Sequence, residues 1–313
     1  MDALRTPDDR FTGLPDFPFT PHYVEIGDGD GGTLRVHYLD EGPPHAAPVL
    51  LMHGEPSWSF LYRTMIPVLV AAGHRCIVPD LVGFGRSDKP TLRSDYTYAR
   101  QVDWMAQLVF DRLDLHDVTF FGQDWGGLIG LRLVAADPDR FARVVIANTG
   151  LPTGDAPLPE AFMTWQRFSI ETPTFPIGKI IASGCTTTLT DEIIAAYDAP
   201  FPDDRYTAGA RIFTSLVPTS PDDPAHDDNT AAWEVLRRFD KPFLCAFSDS
   251  DPITVGGNKA FERDVPGAAD QHHVTIAGGG HFLQEDRGPQ VARVIVEFVA
   301  GDRGQPGAAK PLS

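Results

Sequence analysis

The sequence predicts an α/β fold, in which a mostly parallel central sheet is flanked by helices and carries an inserted helical cap. Short apolar runs alternate with helical stretches through the first half of the chain, which is typical of parallel strands buried on both faces. A Pro- and Thr-rich segment interrupts this pattern after residue 149, and strand-like runs resume at residue 242. With 313 residues and 42% hydrophobic content, the chain can bury the large core that such a sheet requires.

The individual elements follow from apolar runs bounded by turn residues. Strands are predicted over residues 34–38, 49–52, 76–78, 118–121 and 144–147, and again over 242–247 and 274–276. Helices are predicted over residues 60–72, 98–113 and 128–134. Because apolar strands are separated by helices up to residue 147, we expect a mostly parallel sheet that is covered on both faces.

The interruption divides the chain into two parts. Residues 1–151 and 229–313 are predicted to form the main domain, and residues 152–228 a helical cap. A long insertion beside a catalytic loop is more often a substrate lid than a linker. The tail after Gly301 is rich in Gly, Pro and Ala and is expected to be frayed.

Composition and charge narrow the function classes. A formal net charge of −17 argues against a nucleic-acid partner and against a basic membrane-surface protein. No run approaches the roughly 18 apolar residues of a membrane span, and the first ten residues lack an apolar signal core. The three cysteines, Cys76, Cys185 and Cys245, are odd in number and lack CxxC spacing. We therefore expect a cytoplasmic protein in a reduced compartment.

The most informative motif is residues 122–127, Gly-Gln-Asp-Trp-Gly-Gly, between a predicted strand and a predicted helix. It resembles the nucleophile elbow of α/β-hydrolases, with Asp124 where a serine usually stands. A serine must lose a proton before it attacks, whereas a carboxylate with a reference pKa of about 3.9 is already ionised at neutral pH. Asp124 is therefore predicted to attack a saturated carbon directly and to form an alkyl ester.

Two later residues complete a catalytic order of nucleophile, acid and histidine. His281 follows the last predicted strand after three glycines, and it is predicted to be the catalytic base. Asp251, in the loop after the strand at 242–247, is the favoured acid. Asp249 competes with it, although a turn role is the commoner one for such an Asp.

The loop at residues 53–58, His-Gly-Glu-Pro-Ser-Trp, follows the strand at 49–52. In an α/β-hydrolase, a backbone N–H of this loop pairs with that of the residue after the nucleophile. The backbone N–H groups of Glu55 and Trp125 are therefore predicted to form an oxyanion hole.

Taken together, these motifs resemble the haloalkane dehalogenases of the α/β-hydrolase superfamily, in the branch with an Asp-His-Asp triad. The resemblance extends from about residue 20 to residue 299. It implies that Trp125 and a cap tryptophan hold the halide between two indole N–H groups, and Trp165 is the only tryptophan early in the cap. It also implies a small haloalkane substrate, water as co-substrate and a halide product. Trp58, Trp104 and Trp233 are assigned to packing.

The main alternative is an epoxide hydrolase, which shares the Asp nucleophile but needs an acid for the opening oxygen. The cap offers Tyr197 and Tyr206 for that role, but Trp165 would then be unexplained. A fluoroacetate-type dehalogenase would carry Arg in place of Trp125, and a non-catalytic binding protein would not need the complete triad. No metal site or cofactor is expected, because the histidines and carboxylates show no ligand spacing. The sequence does not determine the oligomeric state, and a monomer is expected.

Overall fold

The structure, a computed structural model, describes residues 1–302. The tail after Gly301 was expected to be frayed, and apart from Asp302 it lies outside the described residues. The end of the predicted 229–313 segment lies outside them as well.

Ten strands form two sheets. In chain order they are β1 (Ala3–Leu4), β2 (His22–Gly27), β3 (Thr33–Glu41), β4 (Pro48–Met52), β5 (Arg75–Pro79), β6 (Lys89–Pro90), β7 (Val118–Gln123), β8 (Phe141–Ala147), β9 (Phe243–Ser248) and β10 (Val274–Ile276). The large sheet has eight strands in the order β10-β9-β8-β7-β4-β5-β3-β2. β2 and β3, and β3 and β5, pair antiparallel, and the other pairs are parallel. The predicted α/β fold with a mostly parallel sheet is confirmed.

Ten α-helices accompany these strands within residues 1–302. In chain order they are α1 (Ile66–Ala71), α2 (Tyr98–Ala106), α3 (Trp125–Ala136), α4 (Glu160–Glu171), α5 (Ile177–Ser183), α6 (Asp191–Asp198), α7 (Ala208–Ile212), α8 (His226–Leu236), α9 (Asn258–Asp264) and α10 (Leu283–Asp302). α10 is kinked at Arg287, ahead of Pro289. No helix in this part of the chain is long and apolar enough to cross a membrane.

The core lies on both faces of the central strands. Every residue of β4 and β7 is buried, which agrees with the uninterrupted apolar character of these segments. β2 was not predicted, because it is an edge strand with a single fully buried residue, Ile26, and therefore has no apolar run. Two predicted helices are shorter than expected. Residues 60–72 divide into a 3₁₀ turn at Ser59–Tyr62 and α1, and residues 98–113 divide into α2 and a π-helical segment at Gln107–Arg112.

The region between β8 and β9 is helical, as expected. α4 packs against α7 and α5 packs against α6, whereas α8 packs against α3 of the main domain. α8 begins at His226 and therefore extends across the predicted boundary at residues 228 and 229.

Candidate active site

Asp124 occupies a sharp turn between the end of β7 and the start of α3. Its backbone has φ 53° and ψ −127°, a conformation that costs a non-glycine residue about 1–3 kcal/mol. Three contacts stabilise it: the Asp124 N–H donates to the carbonyl of Asn148 at 3.0 Å, and the Asp124 carbonyl accepts from Gly127 N–H at 2.9 Å and from Thr149 Oγ1 at 2.7 Å. A side chain at Gly126 would overlap the backbone of Met52, so only glycine allows the turn to sit this close to β4.

His281 and Asp251 meet the elbow at the carboxyl end of the sheet. Nδ1 of His281 lies 3.0 Å from Oδ2 of Asp251, and its Nε2 lies 3.6 Å from Oδ2 of Asp124. The side chains of Asp251 and His281 are 1% and 8% exposed, so water screens this contact little. The structure therefore brings together the three residues that the sequence placed in the triad.

Asp251 and Asp249 have different surroundings. Asp251 also accepts hydrogen bonds from the N–H of Ile253 at 2.9 Å and from Oγ1 of Thr254 at 2.5 Å. Asp249 is exposed, and its Oδ1 accepts from Ser250 and from the N–H of Gly278. The contact with His281 is made by Asp251.

Both carboxylates affect the pKa of His281. Burial by itself lowers the pKa of His281, but the charges of Asp251 and Asp124 and the hydrogen bond with Asp251 outweigh burial and raise this pKa well above its usual value. Burial by itself raises the pKa of Asp251, and the contacts with His281 and Thr254 reverse this, so that the pKa of Asp251 is lowered. The surroundings of His281 therefore favour the protonated ring.

Glu55 lies on the other side of the nucleophile. Its backbone N–H donates to Oδ1 of Asp124 at 2.8 Å. Gly54 makes this approach feasible, because a Cβ at that position would overlap the Asp124 side chain. The other predicted oxyanion donor is the backbone N–H of Trp125, which begins α3 and so has no partner within the helix.

These residues line a cavity of about 650 Å³, whose wall also includes residues of α3, α4 and α5. Asp124, Glu55, His281, Trp125 and Trp165 all contribute to its wall. The rest of the lining is largely apolar and includes Leu128, Leu151, Leu158, Phe162, Ile180, Val217 and Phe282. Such a cavity favours an apolar ligand with a single polar end at Asp124.

Both tryptophans proposed from the resemblance line the cavity. Trp125 is 2% exposed, and its ring packs against Tyr98 and Phe213 at centroid distances of 4.9 and 4.7 Å. Trp165, on α4, stacks on Phe168 at a centroid distance of 5.6 Å.

The remaining tryptophans use their N–H groups elsewhere. The indoles of Trp58, Trp104 and Trp233 donate to the carbonyls of Ala196, Asp28 and Leu151, respectively. Trp233 nevertheless lines the cavity, which the packing assignment did not anticipate.

The cap tyrosines considered for epoxide opening do not line the cavity. Tyr197 is fully buried, and its hydroxyl donates to Oε2 of Glu285 at 2.5 Å. Glu285 also forms a bidentate ion pair with Arg63 at 2.5 and 2.6 Å. Tyr197 thus connects α6 to the main domain, away from the nucleophile.

Two amide side chains that the sequence interpretation missed hold the His281 loop. Nε2 of Gln123 and Nδ2 of Asn148 each donate to the His281 carbonyl at 3.1 Å. Both are fully buried at strand ends beside the elbow. Gln123 belongs to the elbow motif at residues 122–127, so its role could have been predicted from that motif. Asn148 belongs to no motif in the sequence.

One cluster of potential metal ligands exists among residues 1–302, although none was expected from spacing. Cys245, Glu262 and His273 place one ligand atom each within 4.8 Å of the others. Nδ1 of His273 accepts the N–H of Cys245 at 3.1 Å, so the neutral ring carries its proton on Nε2 and has no free lone pair. Burial raises the pKa of Cys245 above its usual value, which disfavours the thiolate. The donor set therefore does not fit a resident metal.

The chain resembles known proteins over nearly its whole length. The profile of a family described as alpha/beta hydrolase fold matches residues 47–288. A haloalkane dehalogenase from Psychrobacter cryohalolentis is 60% identical over 299 residues, which is 96% of this chain and 98% of that protein. Another from Mycolicibacterium paratuberculosis is 51% identical over 298 residues, covering 95% of this chain and 98% of that protein.

A solved structure agrees with these relatives. The tetrameric haloalkane dehalogenase DpaA from Paraglaciecola agarilytica NO2 superposes with a TM-score of 0.84 at 35% identity, covering 94% of this chain and 97% of that chain. This chain therefore belongs to the haloalkane dehalogenases of the α/β-hydrolase superfamily.

Proposed function

We propose that this chain hydrolyses the carbon–halogen bond of alkyl halides to an alcohol and a halide through an ester on Asp124. The observation that carries the proposal is a carboxylate at a nucleophile elbow, facing an apolar cavity whose wall includes Trp125 and Trp165. A carboxylate attacks a saturated carbon without prior deprotonation, and an apolar cavity suits the alkyl part of the substrate.

In the first step, an oxygen of Asp124 attacks the carbon in line with the halogen. The new C–O bond forms as the C–X bond breaks, and the halide leaves with the bonding electron pair. The indole N–H groups of Trp125 and Trp165 stabilise that charge, since an indole is a hydrogen-bond donor with no acceptor. The halide leaves without a proton, so this step needs no acid.

In the second step, water attacks the ester while His281 takes its proton. Asp251 orients the ring and stabilises the imidazolium that results. The backbone N–H groups of Glu55 and Trp125 hold the tetrahedral oxyanion. This intermediate then collapses: the bond between the Asp124 carboxyl carbon and the alkoxy oxygen breaks, the alcohol leaves with the proton from His281, and the Asp124 carboxyl loses its remaining proton to water. Because the ester at Asp124 is neutral, one of the two charges that favour the protonated ring is then gone, and His281 is a better base in this step than in the resting protein.

The epoxide hydrolase alternative receives no support. The known proteins compared above are haloalkane dehalogenases, and neither Tyr197 nor Tyr206 reaches the cavity.

We further propose that residues 152–228 act as a cap over the site, because α4 supplies Trp165 to the cavity wall.

We propose a monomer as the working unit, since one chain contributes every proposed catalytic residue. Because DpaA is tetrameric, light scattering of this protein would test whether it is a monomer in solution.

All three cysteines lie within residues 1–302 and are free, which favours a reduced, cytoplasmic location. Cell fractionation would test that location.

The deciding experiment measures halide release from 1,2-dibromoethane and 1-bromobutane by the wild type and by Asp124→Ala. We expect release by the wild type alone. Release by both proteins would show that Asp124 is not the nucleophile. Release by neither would reject dehalogenation of these substrates, and an epoxide panel would follow.

A further inference from the structure

The carbonyl oxygen of Gly54 has three polar neighbours. Nδ1 of His53 lies 2.9 Å from it, and it accepts hydrogen bonds from the N–H of Ser57 at 3.0 Å and from Oγ of Ser57 at 2.9 Å. His53 and Ser57 are fully buried, and neither lines the cavity. The proposed mechanism leaves both side chains without a task, although they belong to the loop that supplies an oxyanion donor.

The protonation of His53 follows from the contact of its other ring nitrogen. The backbone N–H of Leu81 donates to Nε2 of His53 at 3.0 Å. A backbone N–H can only donate, so Nε2 carries a lone pair and the neutral ring has its proton on Nδ1. Burial lowers the pKa of His53, which agrees with a neutral ring. His53 therefore donates to the Gly54 carbonyl, as Ser57 does.

The Gly54 carbonyl belongs to the same peptide group as the Glu55 N–H. In a planar trans peptide these two groups point in opposite directions, so donors on the carbonyl side fix the direction of the N–H on the other side. That N–H donates to Oδ1 of Asp124 at 2.8 Å. A continuous chain of hydrogen bonds therefore runs from His53 and Ser57, through one peptide group, to the nucleophile.

We propose that His53 and Ser57 are positioning residues of the oxyanion hole. By donating to the Gly54 carbonyl, they fix and polarise the peptide group that carries the Glu55 N–H. Hydrogen bonds in a chain strengthen one another in a low-dielectric interior. An oxyanion donor that is held in place before the reaction also needs no reorganisation during it. The inference rests on the proposed ester intermediate on Asp124.

The two chemical steps use this peptide group differently. During alkylation the negative charge on Asp124 moves to the leaving halide, so a stronger donor at Oδ1 does not assist the step. During ester hydrolysis the charge develops on the oxygen that the Glu55 N–H holds, and a stronger donor lowers the barrier. Loss of a hydrogen bond to the Gly54 carbonyl should therefore slow ester hydrolysis and leave alkylation nearly unchanged.

The test is a single-turnover reaction with the enzyme in excess over 1-bromobutane, quenched at successive times. Bromide reports alkylation, and 1-butanol reports ester hydrolysis. Ser57→Ala removes one donor to the Gly54 carbonyl. Ser59→Ala is the matched control, because Oγ of Ser59 is also buried but has no hydrogen-bond partner among residues 1–302. A urea unfolding transition establishes that each variant is folded.

We expect Ser57→Ala to hydrolyse the ester roughly 3- to 10-fold more slowly than the wild type, less than the cost of about 10²–10³-fold for deleting a donor outright. Its alkylation rate should stay within about twofold of that of the wild type, and Ser59→Ala should match the wild type in both steps. Equal slowing of both steps in Ser57→Ala would mean a purely structural role and would overturn the inference. Unchanged ester hydrolysis would also overturn it while leaving the proposed function intact. Absence of bromide release from the wild type would overturn the proposed function and, with it, the inference.

A pair of variants at His53 tests the other donor. The amide nitrogen of Asn lies about where Nδ1 of His lies and can still donate to the Gly54 carbonyl, whereas the amide of Gln takes the place of Nε2. Each variant therefore keeps one of the two ring contacts and loses the other. We expect ester hydrolysis to be slower in His53→Gln than in His53→Asn, with similar alkylation rates. Equal rates of hydrolysis, or the opposite order, would contradict a role of His53 through the Gly54 carbonyl.

Discussion

Nε2 of His281 lies 3.6 Å from Oδ2 of Asp124, so the proposed nucleophile is also a counter-ion of the proposed base. This distance exceeds that of a normal hydrogen bond, and the interaction is mainly a charge–charge contact in a largely buried site. The consequence is an order of events. Asp124 must act as an anion first, and its conversion to a neutral ester then releases His281 for proton abstraction.

Replacing His281 with Phe should stop the reaction halfway. The first step needs only Asp124 and the halide donors, so one equivalent of halide should still be released. Steady-state turnover should fall by on the order of 10²–10⁴-fold, the usual contribution of a general base. Peptide mass spectrometry should find the alkyl adduct on Asp124 after incubation with 1-bromobutane. A variant with neither a halide burst nor an adduct would contradict the two-step scheme, and Asp124→Ala serves as the adduct-free control.

Asp124→Asn should lower the pKa of His281. The amide keeps the size of the carboxylate but removes one of the two charges that favour the protonated ring. NMR titration of the His281 ring protons would measure the change, with Asp249→Asn as a control because Asp249 does not contact the ring. An unchanged or raised pKa in Asp124→Asn would mean that Asp251 alone sets the protonation of His281.

The parts of the site that sequence could predict are those carried by local motifs. Asp124 stands in a strand–turn–helix segment whose glycines allow the close approach to Met52, and His281 follows three glycines at a strand end. The alternation of apolar runs was sufficient for the parallel sheet, because every residue of β4 and β7 is buried. These signals lie within a few residues of the feature that they predict.

The remaining features depend on contacts between distant segments. Glu55 was recognised only for its backbone N–H, because the burial of its side chain and the nearby charge of Asp124, which raise the pKa of its carboxyl, depend on segments distant in the sequence. Tyr197 looked like a candidate acid in the cap, but its partner Glu285 lies 88 residues away along the chain. Neither periodicity nor motif spacing contains that information.

Trp165→Phe should weaken halide binding, and Trp233→Phe should not. Both rings line the cavity, but the Trp233 N–H is occupied by the Leu151 carbonyl at 2.8 Å and so is not available to a halide. Loss of one hydrogen bond to an anion corresponds to about 1.5–3 kcal/mol, or roughly a 10- to 150-fold rise in the dissociation constant for bromide. A sodium bromide titration followed by tryptophan fluorescence measures it in both variants. Equal effects from the two would show that Trp165 contributes only to packing.

Lys89 should make the free energy of unfolding increase as the pH rises above neutrality. It is fully buried, and its Nζ donates to the carbonyls of Gly85 and Ser87. Burial lowers the pKa of Lys89 from 10.5 to about 7, an effect that the charges of Asp80 and Asp88 oppose only in part.

Between these two values the unfolded chain retains a proton that the folded chain has lost, so the Lys89 contribution to stability rises with pH by up to about 1.4 kcal/mol per unit. Urea unfolding of the wild type and Lys89→Met at pH values from about 7 to about 9 should show the free energy of unfolding of the wild type rising with pH relative to that of the variant. A constant difference would mean that Lys89 stays charged inside the fold.

Tyr197→Phe should loosen the attachment of the cap without removing dehalogenation. The Tyr197 hydroxyl donates to Glu285, which is already paired with Arg63, and all three side chains are buried. Deleting a hydrogen bond to a buried charged group costs about 1.5–3 kcal/mol, so the urea midpoint should fall with an unchanged slope.

Tyr206→Phe is the matched control for this change, because Tyr206 is only partly buried and lies outside the cavity; its effect should stay within about 0.5 kcal/mol. Halide release from 1-bromobutane should persist in both variants, because neither tyrosine lines the cavity. If Tyr197→Phe instead abolished turnover at unchanged stability, the hydroxyl would have to reach the substrate in another arrangement of the cap, and the assignment of Tyr197 to docking would be wrong.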